Sequence, residues 1–156
     1  MKTNKMVMAS MLAALICIAT MVIQIPIPFG YLNLGDAFVL VAAFVLPCNM
    51  AILASAIGAG LADILLGYAV YAPATVIIKG LMAFAAFRIY KGSAKTGIIA
   101  GVCAEIIMVL GYFLYEGTFL YGFASSLASV PLNALQGLCG VVVSLAVMKI
   151  IKNKIK

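Results

Sequence analysis

The chain has no histidine, no tryptophan and only four acidic residues in 156. Without histidine it lacks the usual general base near neutral pH and the commonest metal ligand. The four cysteines, Cys17, Cys48, Cys103 and Cys139, form neither a CxxC pair nor a metal-ligand spacing. They read as small apolar packing residues, and no metal site is expected. Neither GxxxxGK[ST] nor GxGxxG occurs, so the chain carries no familiar phosphate-cradling loop and no cofactor of its own is expected. Only 9% of residues are charged, against roughly 25% in soluble domains. The net charge of +6 does not point to nucleic acid, because no basic stripe with interleaved aromatics accompanies it.

What the chain has is apolar surface. At 67% hydrophobic, it carries more than a soluble core of this length can hide. The expectation is an all-α integral membrane bundle forming one domain over residues 1–156, with the lipid bilayer as its main partner. Apolar runs bounded by turn or charge signals predict six helices at about 6–25, 35–47, 50–68, 74–90, 96–115 and 126–150. The first stops at Pro26 and Pro28. Its apolar run is too long for a typical signal peptide and reads as a retained helix. The second is short: thirteen residues rise about 20 Å, less than a ~30 Å hydrocarbon core.

Charge placement supports the second crossing. Every basic residue except Lys79 falls in one of three clusters. Lys2 and Lys5 precede helix 1, Arg88, Lys91 and Lys95 surround the turn after helix 4, and Lys149, Lys152, Lys154 and Lys156 end the chain. The positive-inside rule puts all three in the cytoplasm, which requires an even number of spans between them. Both termini are then cytoplasmic in a multi-pass protein of the cell membrane. Loops 26–34, 69–73 and 116–125 are outside, and they carry tyrosines in place of basic residues.

Asp63 and Lys79 stand inside runs otherwise suited to lipid. A charge at that depth costs about 2.5–3.5 kcal/mol on insertion scales, so such residues usually face the protein interior or a wet cavity. The turn between helices 3 and 4 brings the two to similar depth, where they can pair. Asn33 and Asp36 stand at the outer mouth of helix 2. Glu105, Met108 and Tyr112 share a face of helix 5, and Asn133 and Gln136 share one on helix 6. Glu116 marks the outer end of helix 5. The polar set gathers in the outer half, and the inner half is nearly bare. One reading makes it a small-molecule pocket lined by Asn33, Asp36, Asp63, Lys79, Glu105, Tyr112, Asn133 and Gln136. The other makes it ion pairing and polar glue between helices. On helix 1, Ala9 with Ala13, and Ser10 with Ala14, form small-xxx-small steps. These suit close approach of a partner helix, or packing inside the bundle.

The stretches GYLNLGDAFVLVAAFVLP at 30–47 and GLADILLGYAVYAPATVIIKG at 60–80 resemble the helix 2 entry and the helix 3–4 hairpin of a known family. That family is the substrate-binding S components of energy-coupling factor (ECF) vitamin transporters. The subgroup is the riboflavin type, with its pyridoxine and hydroxymethylpyrimidine members. The resemblance implies capture of a water-soluble vitamin or precursor from outside, beneath a lid formed partly by the helix 1–2 loop. It further implies docking through Ala9 and Ala13 on a membrane scaffold (T) subunit, and two cytoplasmic ATPases that consume ATP for the cycle. The S component is expected to topple in the membrane to deliver its ligand. A self-contained channel or carrier for small solutes is the alternative, and the bare inner half argues against it. An enzyme is not expected, because no nucleophile–base spacing is present.

Overall fold

The computed structural model describes residues 2–27 and 30–155. Pro28, read above as part of the helix 1 stop, and Lys156 lie outside the described residues. Of Lys2, Lys152 and Lys154 only the backbone is described. In chain order the elements are α1 (Lys2–Val22), β1 (Gln24–Ile27), β2 (Gly30–Asn33), α2 (Gly35–Val45), α3 (Cys48–Leu65), α4 (Ala72–Ile89) and α5 (Ala94–Tyr115). A π-helical turn (Glu116–Leu120), α6 (Phe123–Ser126) and α7 (Val130–Ile155) complete the fold. Among the described residues, five helices are long and apolar enough to cross a membrane.

The expected second span is α2, at 11 residues. It rises only about 16 Å. Its shortness is tolerated because it lies inside the bundle, packed against α1, α3, α4 and α7. Gly35 to Ala37 and Val39 to Ala43 are all buried. Pro47 ends it: the residue before a proline is pushed out of the helical region, and Leu46 is extended at ψ 158°.

Two expected loops are built elements. Helix 1 stops at Val22 rather than Ile25, and Gln24–Ile27 pairs antiparallel with Gly30–Asn33, Gln24 opposite Asn33. Ile25 precedes Pro26, which favours extended backbone there. The segment expected as loop 116–125 continues α5 as a π turn and then forms α6. Helices 4 and 5 start two residues earlier than expected. Pro73 sits in the first turn of α4, where its missing N–H costs nothing. Ser93 caps α5: its Oγ accepts from the Thr96 N–H at 3.2 Å, and Thr96 Oγ1 accepts from the Ser93 N–H at 3.3 Å. Gly92 before it holds φ +84°, a turn conformation that favours glycine.

The bundle has its apolar side chains outward and its charges inward. Leu53, Ile57, Leu61 and Ile64 of α3 and Ile77 and Leu81 of α4 are exposed, while all four acids and Lys79 are buried. In lipid that arrangement is the stable one, since hydrocarbon solvates leucine and not carboxylate. Close helix approach is set by small residues. A Cβ on Gly58 of α3 would fall 2.5 Å from the carbonyl oxygen of Ala13 in α1, and one on Gly111 of α5 would fall 2.8 Å from Ile78 of α4.

Candidate functional site

Chain order brings one end of every long helix together: the C-terminal ends of α1, α3 and α5 with the N-terminal ends of α2, α4 and α7. The β hairpin lies over this end, and the helix interiors beneath it enclose a cavity of about 40 Å³. Each wall has its own source. Thr20 comes from α1, Tyr31 and Asn33 from β2, and Ala59 and Asp63 from α3. Tyr71, Thr75 and Lys79 come from the start of α4, Tyr112 and Glu116 from α5 and its π turn, and Asn133 and Gln136 from α7. The basic residues Arg88, Lys91, Lys95 and Lys149 belong to the opposite helix ends.

A relay of polar contacts ties four elements together. The backbone N–H of Asn33 donates to Gln136 Oε1 at 2.9 Å. Gln136 Nε2 donates to Asp36 Oδ2 at 2.5 Å. Asp36 Oδ1 forms an ion pair with the ammonium of Lys79. Asn33 Oδ1 also accepts from the Gly35 N–H at 2.9 Å, which seats the start of α2. The Lys79 ammonium stands 5.6 Å from the centre of the Tyr112 ring, within cation–π range. Tyr112 in turn exchanges a hydrogen bond with Thr75 at 2.9 Å.

The expected partner of Lys79 was Asp63, and the structure replaces it with Asp36. The central position of α2 aims Asp36 from the first turn directly at α4. Asp63 instead accepts from the Tyr31 hydroxyl on the hairpin. Its second oxygen, Oδ2, is buried with no hydrogen-bond partner among the described residues. Burial first, and then the Asp63 carboxyl beside it, push the Tyr31 phenol above its ordinary pKa. Tyr31 is therefore a donor at any physiological pH.

Six of the eight expected pocket residues line the cavity: Asn33, Asp63, Lys79, Tyr112, Asn133 and Gln136. Asp36 and Glu105 do not. Asp36 is fully enclosed and both its oxygens are engaged by Lys79 and Gln136. Glu105 lies deeper, in a niche beside Gly137 and Gly140 of α7. Tyr31, Tyr71, Thr75, Thr20, Ala59 and Glu116 were absent from the expected set. Glu116 is 2% exposed and accepts from Tyr71 at 3.3 Å and from Ser129 at 2.5 Å. Burial, first, and contact with Tyr121 and Glu116 push the Tyr71 phenol upward as well. For Tyr31, Tyr71 and Glu116 the only signal was their place in the outer loops, where a tyrosine reads equally well as an interfacial anchor; Thr20, Ala59 and Thr75 sit in helices and gave none.

On α1, Ala9 and Ala13 are half-buried against the core, whereas Ser10 and Ala14 are exposed. The small step that meets α3 is thus the one containing Ala13.

The arrangement offers an unfilled acceptor at Asp63, a donor at Lys79, amide groups at Asn133 and Gln136, and tyrosine rings between them. That is equipment for holding a small polar ring, and among the described residues it includes no nucleophile activated by a base. Among the described residues no acidic or cysteine cluster is suited to a metal ion.

Comparison with known proteins bears on the family and the fold. The family model described as "ECF-type riboflavin transporter, S component" matches residues 1–153. A protein of Pyrococcus woesei, described as an uncharacterized protein in gap 3′region, is 31% identical over 144 residues, which cover 90% of this chain and 96% of that one. Among solved structures, one described as the S component of a bacterial ECF transporter superposes with a TM-score of 0.80 at 23% identity. It covers 100% of this chain and 99% of that chain, and at this identity it shows the fold. The polar cavity, the membrane bundle and the whole-length family match together show that this chain belongs to the S components of ECF-type riboflavin transporters, a multi-pass cell-membrane subunit that binds substrate for an importer and is not an enzyme.

Proposed function

We propose that the cavity under the hairpin is the vitamin site, and that it takes a small heteroaromatic alcohol of the pyridoxine, hydroxymethylpyrimidine or riboflavin class from outside the cell. The observation that carries this is the pairing of a buried unfilled acceptor, Asp63 Oδ2, with a buried donor, Lys79, across one tyrosine-walled cavity. A heteroaromatic ring with hydroxyl donors and ring acceptors matches both, and its faces match Tyr31, Tyr71 and Tyr112. A volume of about 40 Å³ holds a few waters. Ligand entry therefore requires the walls to part, and the hairpin carrying Tyr31 is the natural lid because only a few polar contacts secure it.

Both termini are then cytoplasmic and α2 is the sixth, shortened crossing. The subunit hands its ligand inward by docking through α1, with Ala9 and Ala13 at the contact, on a membrane scaffold subunit. Two cytoplasmic ATPases bind and hydrolyse the ATP. Beneath the site the core is Leu40, Ala43, Met82, Ala86 and Ala100, all buried. An apolar plug of this kind gives a polar solute no through-path, which disfavours an autonomous channel.

Mass spectrometry of small molecules released from the purified protein tests the reading. A heteroaromatic vitamin or precursor, lost from the Asp63→Asn variant, is the expected result. Uptake of such compounds by vesicles holding this chain alone would overturn it in favour of a carrier.

A further inference from the structure

Glu105 is 6% exposed, and neither of its carboxyl oxygens has a hydrogen-bond partner among the described residues. Its niche is built into α7. A Cβ on Gly137 would fall 2.8 Å from the Glu105 Cβ and 3.0 Å from Oε2. A Cβ on Gly140 would fall 3.0 Å from Oε1 and 3.1 Å from the Asp36 Cβ. Two glycines on one helix face thus make room for a carboxyl that stabilises nothing by hydrogen bonding. A buried acid kept at such cost in a membrane bundle calls for a role.

Among the described residues, the charged groups around Glu105 are Asp36 of α2, whose Cβ borders the same Gly140 niche, and Lys79 of α4, which Asp36 holds. Tyr112 stands two turns further along α5 itself, and α7 sets Gly137 and Gly140 against the carboxyl. Two carboxyls therefore compete for one ammonium, and Asp36 already holds it in an ion pair, with Gln136 on its other oxygen. Ionising Glu105 as well would set two buried carboxylates against one ammonium, the circumstance in which one of two neighbouring carboxyls keeps its proton.

We propose that Glu105 is a proton-binding site beneath the vitamin pocket, and that its proton keeps Lys79 committed to Asp36. When the proton leaves to water, the ammonium is shared between two carboxylates and drawn toward α5. Because Lys79 also lines the cavity, loss of the proton deforms a pocket wall. The consequence for ligand rests on the function proposed above. The proton itself does not, and it is measured without ligand.

The test is infrared spectroscopy of the purified full-length protein in phosphatidylcholine vesicles. At neutral pH the wild type should show a protonated-carboxyl stretch that Glu105→Gln lacks, and that band should give way to carboxylate bands as pH rises. In Asp36→Asn the band should be missing at neutral pH, since Lys79 is then free to pair with an ionised Glu105. Glu105 and Glu116 are the only glutamates. Protein carrying carboxyl-labelled glutamate and Glu116→Gln therefore reports on Glu105 alone by solid-state NMR, without substituting it. A carboxylate at Glu105 at neutral pH, by either method, overturns the proposal. Persistence of the protonated band in Asp36→Asn overturns it too, because competition with Asp36 would not be its cause.

Discussion

Lys79 is the residue on which the site turns, because among the described residues it is the only cation of five buried charged side chains. Asp36 of α2 and Tyr112 and Glu105 of α5 surround it, and they give single substitutions unequal effects. Lys79→Met leaves Asp36 buried against a neutral side chain, and breaking a buried pair this way typically costs about 3–5 kcal/mol. Asp36→Asn should cost less, because Glu105 stands ready to accept the ammonium. The double variant Asp36→Asn with Lys79→Met should recover much of the loss. Thermal unfolding followed by circular dichroism in detergent orders the three. Equal losses for both single variants would mean that Glu105 cannot replace Asp36.

Tyr31 shows how much of the lid depends on one hydroxyl. In Tyr31→Phe the hairpin loses its contact with Asp63, worth about 1–2 kcal/mol for a bond of this kind. Hydrogen exchange at the amides of Tyr31–Asn33 should then quicken by roughly 5–30-fold, with the cores of α3 and α4 unchanged. The phenol's pKa is raised in the folded protein. The contribution is therefore fully present below the phenol's ordinary value of about 10 and is lost as pH rises above it. Unchanged exchange in the variant would show that the backbone ladder alone holds the hairpin.

At the scale of elements, α1 separates two small-residue steps that spacing leaves equivalent. Ala9 and Ala13 turn toward the core, and Ala13 meets Gly58 of α3. Ser10 and Ala14 face outward. Leucine at both Ala9 and Ala13 should overpack the α1–α3 contact and cost about 1–3 kcal/mol of stability, as read from the melting temperature. Leucine at both Ser10 and Ala14 should leave melting unchanged. Co-purification with the scaffold subunit then reports which step serves docking. A fully stable Ala9→Leu, Ala13→Leu protein that fails to co-purify would assign docking to that face.

α2 and the hairpin make the same point about local signals. A strand needs a partner, and β1 and β2 supply one only by folding back on each other. Four-residue strands beside prolines leave no periodicity long enough to read. The π turn at Glu116 is equally silent in sequence; Tyr71 and Ser129, which close on its carboxyl, come from segments far along the chain or beyond the turn.

For the molecule as a whole, orientation is the main quantity to test. In a background without the native cysteines, Phe119→Cys should react with an impermeant thiol reagent from outside, because Phe119 is 75% exposed beside the pocket end. Ser93→Cys, at the α4–α5 turn among the basic residues, should react only after permeabilisation. The reverse pattern would place the cavity on the cytoplasmic side and undo capture from outside.

Composition alone determined the solvent of this protein. With so few charges and so much apolar surface, the chain can fold only where hydrocarbon receives its exterior. The clusters of lysine and arginine, and the gathering of polar residues near one set of helix ends, were likewise legible, because they depend on position along helices whose rise is constant. Pairing within the site was not legible. Asp36, Asp63 and Glu105 are all acids within reach of one lysine, and the choice among them depends on which helix occupies the centre. Tertiary packing put α2 there, gave Lys79 to Asp36, left Asp63 to Tyr31, and set Glu105 against two glycines. Depth follows from counting residues along one helix; partnership follows from the angles and distances between helices, which arise only when all of them pack at once.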